Sequence, residues 1–214
     1  MALECFSGED WESVTVAQIA RMVGIAKGTM YLHFASKQEI YARLTLDFYR
    51  DLLSHLVNSR TGNGAERLAG MIRQAFRFYL QHPKYRCVTQ YCEREDFRLK
   101  LNPEIAEQFD AIDHKVYQLL CSELERGIES GAFKPLAIDQ QILGLKCTFH
   151  GALTMLWCDR HNEQTDPEHF INTVTDYMLS PIVAGHCTTE LPASSTQMTN
   201  LSQTPDNQQA LETT

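Results

Sequence analysis

A short stretch near the amino terminus combines basic, hydroxylic and small side chains without a single acid. Residues 13–38 contain three basic residues, Arg21, Lys27 and Lys37, and no Asp or Glu, whereas the whole chain of 214 residues carries 27 acidic and 19 basic residues. Basic side chains neutralise phosphates, and hydroxyl groups hydrogen-bond to phosphate oxygens. The net charge of −8 argues against general affinity for nucleic acid, so this local surface is the candidate site for duplex DNA.

The spacing around these residues predicts two short helices joined by a tight turn. The first helix presents one apolar face at helical spacing, formed by Val16, Ile19, Ala20 and Val23. Thr15 is the expected N-cap, and Gly24 ends the run, as glycine often does after a helix. A second helix over residues 26–34 turns Met30 and Phe34 inward. Because two helices this short are stable only when they cross around a shared apolar wedge, the pattern predicts a helix-turn-helix unit.

The second of these helices carries the groups expected to contact DNA. Lys27, in its first turn, reaches a guanine edge or a phosphate, and Gly28 lets the backbone approach closely. Lys37 brings charge to the amides at the start of the following helix. The candidate DNA-binding residues are Thr15, Ala26, Lys27, Gly28, Thr29, Tyr31, His33 and Lys37. An ordinary solvated helix face is the alternative for this set, and the His33 ring equally suits packing under the next helix.

The chain is helical in pattern as far as residue 182. Ser36 and Glu39 form a capping-box pattern that opens a long helix ending near Asn58. Apolar residues spaced three or four apart predict further helices over residues 65–81, 84–100, 104–130, 138–160 and 167–182. Residues 2–7 are expected to be the end of a first helix. Since no segment alternates with the period of a strand, the predicted fold class is all-α.

The run from Thr15 to Ile40 resembles the DNA-binding signature of the TetR family of bacterial transcription regulators. The matching elements are Thr15-Val16, Ile19-Ala20, Val23-Gly24-Ile25, Lys27-Gly28-Thr29-Met30-Tyr31, His33-Phe34 and Ser36-Lys37-Gln38-Glu39-Ile40. The resemblance covers residues 2–48. It implies an all-α homodimeric repressor that reads a palindromic operator, with a carboxy-terminal domain that binds a small molecule and then releases the DNA.

The resemblance also implies a domain organisation. Residues 1–48 are expected to form the helix-turn-helix domain, and residues 49–183 a helical domain for ligand binding and dimerisation. The family's first helix begins upstream of the position that Met1 holds here, so residues 1–6 resemble its second half and a truncated first helix is expected. Residues 184–214 are predicted to be a disordered tail, because residues 185–214 lack Lys and Arg and are mostly small polar residues.

Aromatic residues on the central helices are the candidates for a ligand cavity, since such cavities combine apolar and aromatic walls with a few polar groups. The candidate ligand-binding residues are Phe76, Tyr79, Tyr91, Phe109, Tyr117, Cys121, His150 and Trp157. Small residues on the penultimate helix and apolar residues on the last one predict a four-helix dimer interface. The candidate interface residues are Gly144, Thr148, Gly151, Phe170, Val174, Tyr177 and Met178. Close packing within one subunit is the alternative for that second set.

Seven scattered cysteines do not suggest a disulfide framework. Cys87, Cys92 and Cys121 lie near basic residues, so a cysteine-based redox sensor on the same scaffold is one alternative function.

Two cysteine–histidine pairs have the spacing of metal ligands on a helix. They are Cys147 with His150 and Cys158 with His161. Because residues 147 and 158 are separated by about 16 Å along a helix, one chain cannot supply all four ligands to one ion. A two-fold dimer that brings pairs together is the remaining route to a metal site, and packing of Cys147 and Cys158 in the core is the alternative. The sequence also lacks known catalytic motifs. We therefore expect no metal, no cofactor and no enzymatic activity.

No apolar run approaches the roughly 18 residues that a membrane span requires, and the amino terminus lacks the layout of a signal peptide. The expectation is a cytoplasmic protein without a membrane partner. Its expected partners are double-stranded operator DNA, a second copy of the chain and an unidentified small molecule.

The other alternative function is that of a helical sensor or adaptor that no longer binds DNA because its first helix is incomplete.

Overall fold

A computed structural model describes residues 2–6, 13–157 and 166–184, all of which belong to one folded unit. Short 3-10 helices occupy Ala2–Phe6 and Pro83–Tyr85. The α-helices are α1 (Val16–Val23), α2 (Lys27–His33), α3 (Lys37–Asn58), α4 (Gly64–Gln81), α5 (Arg86–Cys92), α6 (Glu95–Arg98), α7 (Pro103–Glu129), α8 (Ile138–Trp157) and α9 (Pro167–Leu179). The predicted all-α class is confirmed for the described residues.

The described ranges contain no β-strand, only an isolated antiparallel bridge between Phe133 and Val183. Within the same ranges, no helix combines the length and the apolar character that crossing a membrane would require. The predicted polar tail, residues 184–214, lies outside the described residues except for Ala184.

A glycine in the left-handed region sets the turn between α1 and α2. Gly24 has a φ of +79°, and its N–H donates to the carbonyl oxygen of Arg21 at 3.2 Å. The next N–H, that of Ile25, donates to the carbonyl oxygen of Ala20 at 2.9 Å. These two bonds form a Schellman motif, which satisfies the last carbonyls of α1. Glycine adopts this φ without steric cost, and the predicted helix break at Gly24 is confirmed.

The predicted apolar wedge of the helix-turn-helix is buried. Its fully buried members from the two short helices are Val16, Ile19, Ala20 and Met30. Phe6 closes the wedge from the amino-terminal side, and its ring meets the ring of Tyr41 edge-on with 4.5 Å between centroids. Because Tyr41 belongs to α3 and the cluster continues to Ile105 of α7, the two short helices are anchored to the rest of the fold.

Helix α3 takes part in two hydrophobic cores. Near its start, Tyr41 and Leu46 are buried with the helix-turn-helix, whereas Phe48 is buried in the larger carboxy-terminal core. There the Phe48 ring lies 5.2 Å from that of Phe78 and 4.9 Å from that of Tyr79, both on α4. The expected domain boundary between residues 48 and 49 therefore falls inside a continuous helix, and this division stays a prediction.

A buried carboxylate ties α7 to the α3–α4 connection. The Glu123 side chain is only 2% exposed and lies 2.8 Å from Nε of Arg67, 3.3 Å from Nη1 of Arg60 and 3.2 Å from Nη1 of Arg126. A buried charge is costly without such partners, so the three guanidinium groups are what allow an acid to occupy this position.

A close approach between α7 and the following loop depends on the absence of a side chain at Gly127. The ring of Phe133 packs directly on this glycine and is buried, and the Phe133 N–H donates to the Gly127 carbonyl oxygen at 3.0 Å. The loop then pairs with the segment after α9 through Lys134 N–H, which donates to the Ile182 carbonyl oxygen at 2.8 Å. The turn after α7 thus joins both ends of the α8–α9 pair.

Two helix predictions are wrong. The single helix expected over residues 84–100 is divided into a 3-10 turn, α5 and α6, because Arg94 adopts an extended backbone with ψ of 139°. Its guanidinium group pairs with Asp96 at 2.8 Å, so a local ion pair stabilises the break. The segment Ala2–Phe6 is a 3-10 helix rather than the end of an α-helix.

The substitution Gly127→Ala is expected to lower the free energy of unfolding by about 2 kcal/mol, because a Cβ at this position would overlap the Phe133 ring. Gly70→Ala is the matched control on α4. A Cβ there meets nothing within 4 Å, so we expect it to stabilise the fold by about 0.5 kcal/mol through lower backbone entropy. Urea denaturation followed by circular dichroism measures both, and equal effects of the two changes would contradict this packing.

Candidate functional site

The outward face of α2 is exposed and lacks acidic residues. Met30 is the buried residue of this helix. Lys27, Gly28, Thr29 and His33 are exposed, as is Ala26 just before the helix. The Tyr31 and Leu32 residues are 50% and 84% exposed. The structure therefore brings the candidate DNA-binding residues of α2 onto one surface, and the alternative in which the His33 ring packs under α3 is wrong.

Two lysines at this surface lie against aromatic rings. Nζ of Lys27 is 5.8 Å from the ring centroid of Tyr31, and Nζ of Lys37 is 5.5 Å from that of Tyr41. Cation–π contacts of this kind orient an ammonium group without neutralising its charge. The Lys27 ammonium group therefore keeps its charge at the exposed face of α2.

Thr15 caps α1 as predicted. Its Oγ1 accepts a hydrogen bond from the Gln18 N–H at 3.3 Å, and the Gln18 Oε1 accepts from the Thr15 N–H at 2.7 Å. This reciprocal pair is a capping box, which satisfies two backbone donors at the start of the helix. The role of the exposed Thr15 in DNA binding stays a prediction.

The connection between α2 and α3 is held by Glu39. Ser36 caps α3, since its Oγ accepts from the Glu39 N–H at 3.1 Å. Oε2 of Glu39 accepts from the Ala35 N–H at 2.8 Å, and Arg43 donates two hydrogen bonds to Oε1 at 2.8 and 2.9 Å. Burial alone would raise the pKa of Glu39, but these hydrogen bonds outweigh it and lower the pKa below its usual value. The ionised carboxylate thus fixes α2 relative to α3.

A second candidate site is a cavity of about 400 Å³ enclosed mainly by α3, α4, α7 and α8. Most of its wall is aliphatic, with Leu52, Leu53 and Leu56 contributed by α3. The polar groups that line it are Tyr49, Tyr79, Glu93, Arg98, Asp113, Lys146 and His150. An apolar space of this size with a few polar groups is typical of a site for a small organic molecule.

Two of the predicted ligand-binding residues, Tyr79 and His150, line this cavity. Three other predicted ligand-binding residues are buried in the core and do not line the cavity. Phe76 is fully buried and its ring lies 4.3 Å from that of Phe149, while Trp157 packs on Tyr79 with 5.5 Å between ring centroids. Phe109 lies beneath the Arg98 guanidinium group at 4.0 Å. These three assignments are therefore corrected to core packing.

The remaining three predicted ligand-binding residues lie elsewhere on the helices. The Tyr91 ring packs on that of Tyr41, 5.5 Å away, in the helix-turn-helix core. The Tyr117 hydroxyl donates a hydrogen bond to Oδ1 of the exposed Asp139 at 2.5 Å, and the Cys121 thiol donates one to Oε1 of Glu125 at 3.5 Å. Residue type alone did not distinguish the residues that line the cavity from those that fill the core. Helical periodicity identifies the apolar faces of a helix but does not indicate which of them borders an empty space.

Sequence reasoning missed several residues at both sites. Phe149, Arg98 and Lys146 line the cavity, and Leu32 is exposed beside Tyr31 on α2. Lys146 and Phe149 lie four and one residues before His150 on α8, so helical spacing from His150 could have predicted that they line the same cavity. Arg98 was not accessible in this way, since its position depends on the break in the chain at residues 93–94.

The predicted dimer-interface residues divide into three groups. Gly144, Gly151 and Tyr177 are exposed, and Tyr177 is 71% exposed. Thr148, Phe170 and Val174 are half-buried. Met178 is buried and lines the cavity, so its assignment to an interface is wrong.

Two of the described cysteines, Cys92 and Cys121, differ in chemistry from reactive thiols. Burial raises the pKa of Cys92 to about 12. Partial burial and the hydrogen bond to Glu125 also raise the pKa of Cys121. Because a redox sensor requires a thiolate near neutral pH, neither residue suits that role. Of the two pairs considered for metal binding, Cys147 and His150 are described, whereas residues 158 and 161 lie outside the described ranges.

Residues 1–44 match the family model described as "Bacterial regulatory proteins, tetR family". The chain is also 30% identical over 142 residues to the HTH-type transcriptional repressor KstR2 of Mycobacterium tuberculosis. That alignment covers 63% of this chain and 66% of the relative, which is just under two thirds of the relative's length. The structure of KstR2 superposes with a TM-score of 0.63 and 26% identity, covering 85% of this chain and 91% of that one.

Residues 1–44 therefore belong to the tetR family of bacterial regulatory proteins. A second relative is the fatty acid metabolism regulator protein of Bacillus subtilis, 25% identical over 135 residues that span 62% of this chain and 67% of the relative. The structure of FadR from Bacillus subtilis in complex with stearoyl-CoA matches this chain with a TM-score of 0.68 and 22% identity. The match covers 84% of this chain and 94% of the FadR chain, so the two proteins share the fold. In TetR-family terms, α1 and α2 form the helix-turn-helix, and the family is one of regulatory proteins rather than enzymes.

Replacing the anchor of the α2–α3 connection, Glu39→Gln, is expected to lower the free energy of unfolding by about 1 kcal/mol at pH 7. Since the folded state lowers the pKa of Glu39, its contribution is complete above the usual value of 4.5 and is lost as the pH falls through the folded pKa. The difference between wild type and variant should therefore shrink below that pH. Urea titrations across the acidic range measure it.

The exposed Glu107 on α7 provides the control, because the same substitution there removes a charge that makes no ion pair with the described residues. Glu107→Gln should leave the unfolding free energy within about 0.5 kcal/mol of wild type at every pH. A Glu39→Gln gap that stays constant down to pH 3 would contradict the assignment of the ionised carboxylate.

Proposed function

We propose that this TetR-family protein is a homodimeric transcriptional repressor that binds a palindromic operator and is released from it by a small molecule. The observation that carries the proposal is the exposed, acid-free surface of α2 in a chain with a net charge of −8. The names of its relatives, which are transcriptional repressors and regulators, support the same function.

In the proposed complex, the α2 surface enters the major groove. Lys27 lies in the first turn of the helix, where a recognition helix contacts base edges. The exposed Tyr31 hydroxyl and the Lys37 ammonium group are placed to contact phosphates on either side. Two copies must present these surfaces about 34–36 Å apart, so that they enter successive major grooves of one duplex.

The proposed effector site is the 400 Å³ cavity. Its aliphatic walls suit a hydrophobic acyl chain or a fused-ring skeleton. FadR was solved with stearoyl-CoA, and KstR2 is described as a ketosteroid transcriptional regulator, so both relatives favour a ligand of this class. Leu52, Leu53 and Leu56 belong to α3, whose start lies directly after α2. A ligand that displaces this wall would therefore move the DNA-binding surface.

The proposed division of labour assigns residues 1–48 to DNA binding and residues 49–183 to ligand binding and dimerisation. The exposed stripe on α8 supports a dimer, since Leu143, Gly144, Cys147, Gly151 and Met155 all lie on one side of this helix. Leu143 and Met155 are 65% and 46% exposed. A second copy packing its own α8–α9 pair on this stripe would remove that apolar surface from water.

For DNA binding, the substitutions Tyr31→Ala and Lys37→Ala are each expected to weaken operator affinity about tenfold, because each removes a phosphate contact. The measurement is fluorescence anisotropy with a labelled duplex from the region upstream of the gene, across 50–300 mM salt. Lys37→Ala should also flatten the slope of log affinity against log salt by about one.

Lys134→Ala is the matched control, since Lys134 is an exposed lysine on the loop between α7 and α8. It should bind the operator like the wild type. If the wild type itself shows no preference for any upstream sequence at any salt concentration, the chain is a helical sensor or adaptor that does not bind DNA.

For dimerisation, Leu143→Arg is expected to convert the protein to a monomer in sedimentation velocity, because it places a charge in the middle of the proposed interface. Leu99→Arg is the control. Leu99 is 79% exposed at the end of α6 and does not belong to the proposed α8–α9 interface, so this variant should sediment like the wild type. A Leu143→Arg protein that remains dimeric would contradict the assigned interface.

A further inference from the structure

A cluster of polar side chains interrupts the apolar wall of the cavity. The Tyr49 hydroxyl donates to Oε1 of Glu93 at 2.8 Å, and Nδ1 of His150 lies 3.7 Å from the same oxygen. Tyr79, which also lines the cavity, interacts with Tyr49. The four residues come from α4, α3, the end of α5 and α8, so four separate parts of the chain converge on one carboxylate.

Glu93, which lines the cavity, retains an unused acceptor. Both described partners, Tyr49 and His150, approach Oε1, and Oε2 has no hydrogen-bond donor among the residues that the structure describes. The side chain is 37% exposed, with the cavity contributing to that exposure. Burial, followed by the neighbouring Tyr79 and Glu93, raises the pKa of Tyr49 well above its usual value, which keeps this hydroxyl a donor. A ligand that fills the space and offers no donor would leave Oε2 desolvated and unpaired, which is costly.

The charges around the cavity indicate what kind of donor fits. Two carboxylates, Glu93 and Asp113, are balanced by two cations, Arg98 and Lys146. Arg98 lies 3.8 Å from Asp113, whereas Lys146 forms no ion pair with a described residue. A cationic ligand would meet Lys146 as well as Glu93, so the balance does not favour it. A neutral hydroxyl group supplies the donor without adding charge.

We propose that the effector is an apolar molecule that carries a hydroxyl group, and that this hydroxyl donates to Oε2 of Glu93 while the aliphatic skeleton lies against α3 and α8. The inference rests on the proposed function, which supplies the effector, and specifies the chemical class that the cavity selects. A site that hydrogen-bonds a ligand hydroxyl rejects the analogue that lacks it, because its polar groups are then left unpaired.

The test uses two pairs of ligands that differ by a hydroxyl group, measured on the full chain by isothermal titration calorimetry. The pairs are hydroxystearate with stearate and lithocholate with cholanate. The expected result is that, for at least one skeleton, the hydroxylated member binds at least about tenfold tighter, a difference of about 1.4 kcal/mol. Equal affinities within both pairs would overturn the inference.

Substitutions locate the effect. Glu93→Leu removes the acceptor and should abolish the preference for the hydroxylated member, and the more conservative Glu93→Gln should reduce it, because a charged acceptor forms the stronger bond. Tyr117→Phe is the matched control, since it breaks another tyrosine–carboxylate hydrogen bond outside the cavity, that with Asp139. This control should keep the preference. A preference that persists in both Glu93 variants would also overturn the inference.

Failure of this inference is distinguishable from failure of the proposed function. If both members of a pair bind equally and release operator DNA, the hydroxyl assignment is wrong and the ligand-released repressor stands. If no member of either pair binds, the hydroxyl inference is overturned, and operator binding measured in the same samples decides separately whether the protein is a DNA-binding regulator.

Discussion

The arrangement of this protein depends on the continuity of α3. Its 22 residues extend for about 33 Å, and each end is buried in a different core. Tyr41 packs with Phe6 under the helix-turn-helix, while Leu52 and Leu53 form part of the cavity wall. A rigid helix shared in this way cannot shift at one end without moving the other. This constraint makes the candidate DNA-binding surface and the cavity parts of one mechanical unit.

The contacts at the start of α3 determine how faithfully such a shift is transmitted. Glu39 bonds to the Ala35 N–H and to Arg43, so the segment between α2 and α3 is held by an ionised group rather than by a loose turn. Nearer the other end, Leu52, Leu53 and Leu56 line the cavity. A ligand changes DNA affinity only to the extent that it prefers one placement of α3 over the other. The hydroxyl recognition proposed for Glu93 would add to this selectivity, because Tyr49 belongs to α3 and bonds to the same carboxylate.

Much of the fold was predictable from local sequence. The Thr15 and Ser36 caps, the break at Gly24 and the inward faces of α1 and α3 follow from residue type and spacing, and they locate the surface of α2. The break at residues 93–94 was not predictable, because residues 84–100 keep helical spacing, and an extended Arg94 that pairs with Asp96 divides them. That local break places Glu93 and Arg98 at the cavity. Because the break was not predictable, these two polar residues of the site were not predictable either.

The apolar residues predicted to bind ligand or to form an interface show a different limit of prediction from sequence. Phe76 and Phe149 have the same residue type and lie on buried faces of neighbouring helices, yet only Phe149 borders the empty space. Periodicity identifies a face that points inward but not whether the neighbouring helices fill that face completely. Met178 illustrates the same point, since its spacing on α9 suited an interface and its side chain lines the cavity instead.

The most direct test of this account measures the coupling from both directions. Operator affinity is determined by anisotropy with and without a saturating probe, using stearoyl-CoA and lithocholate in turn, and the affinity of the same probe is determined by calorimetry with and without saturating operator. Linkage requires the two factors to be equal, and the account predicts a decrease of at least about tenfold in each. A probe that binds in the cavity and leaves operator affinity unchanged would contradict coupling through α3.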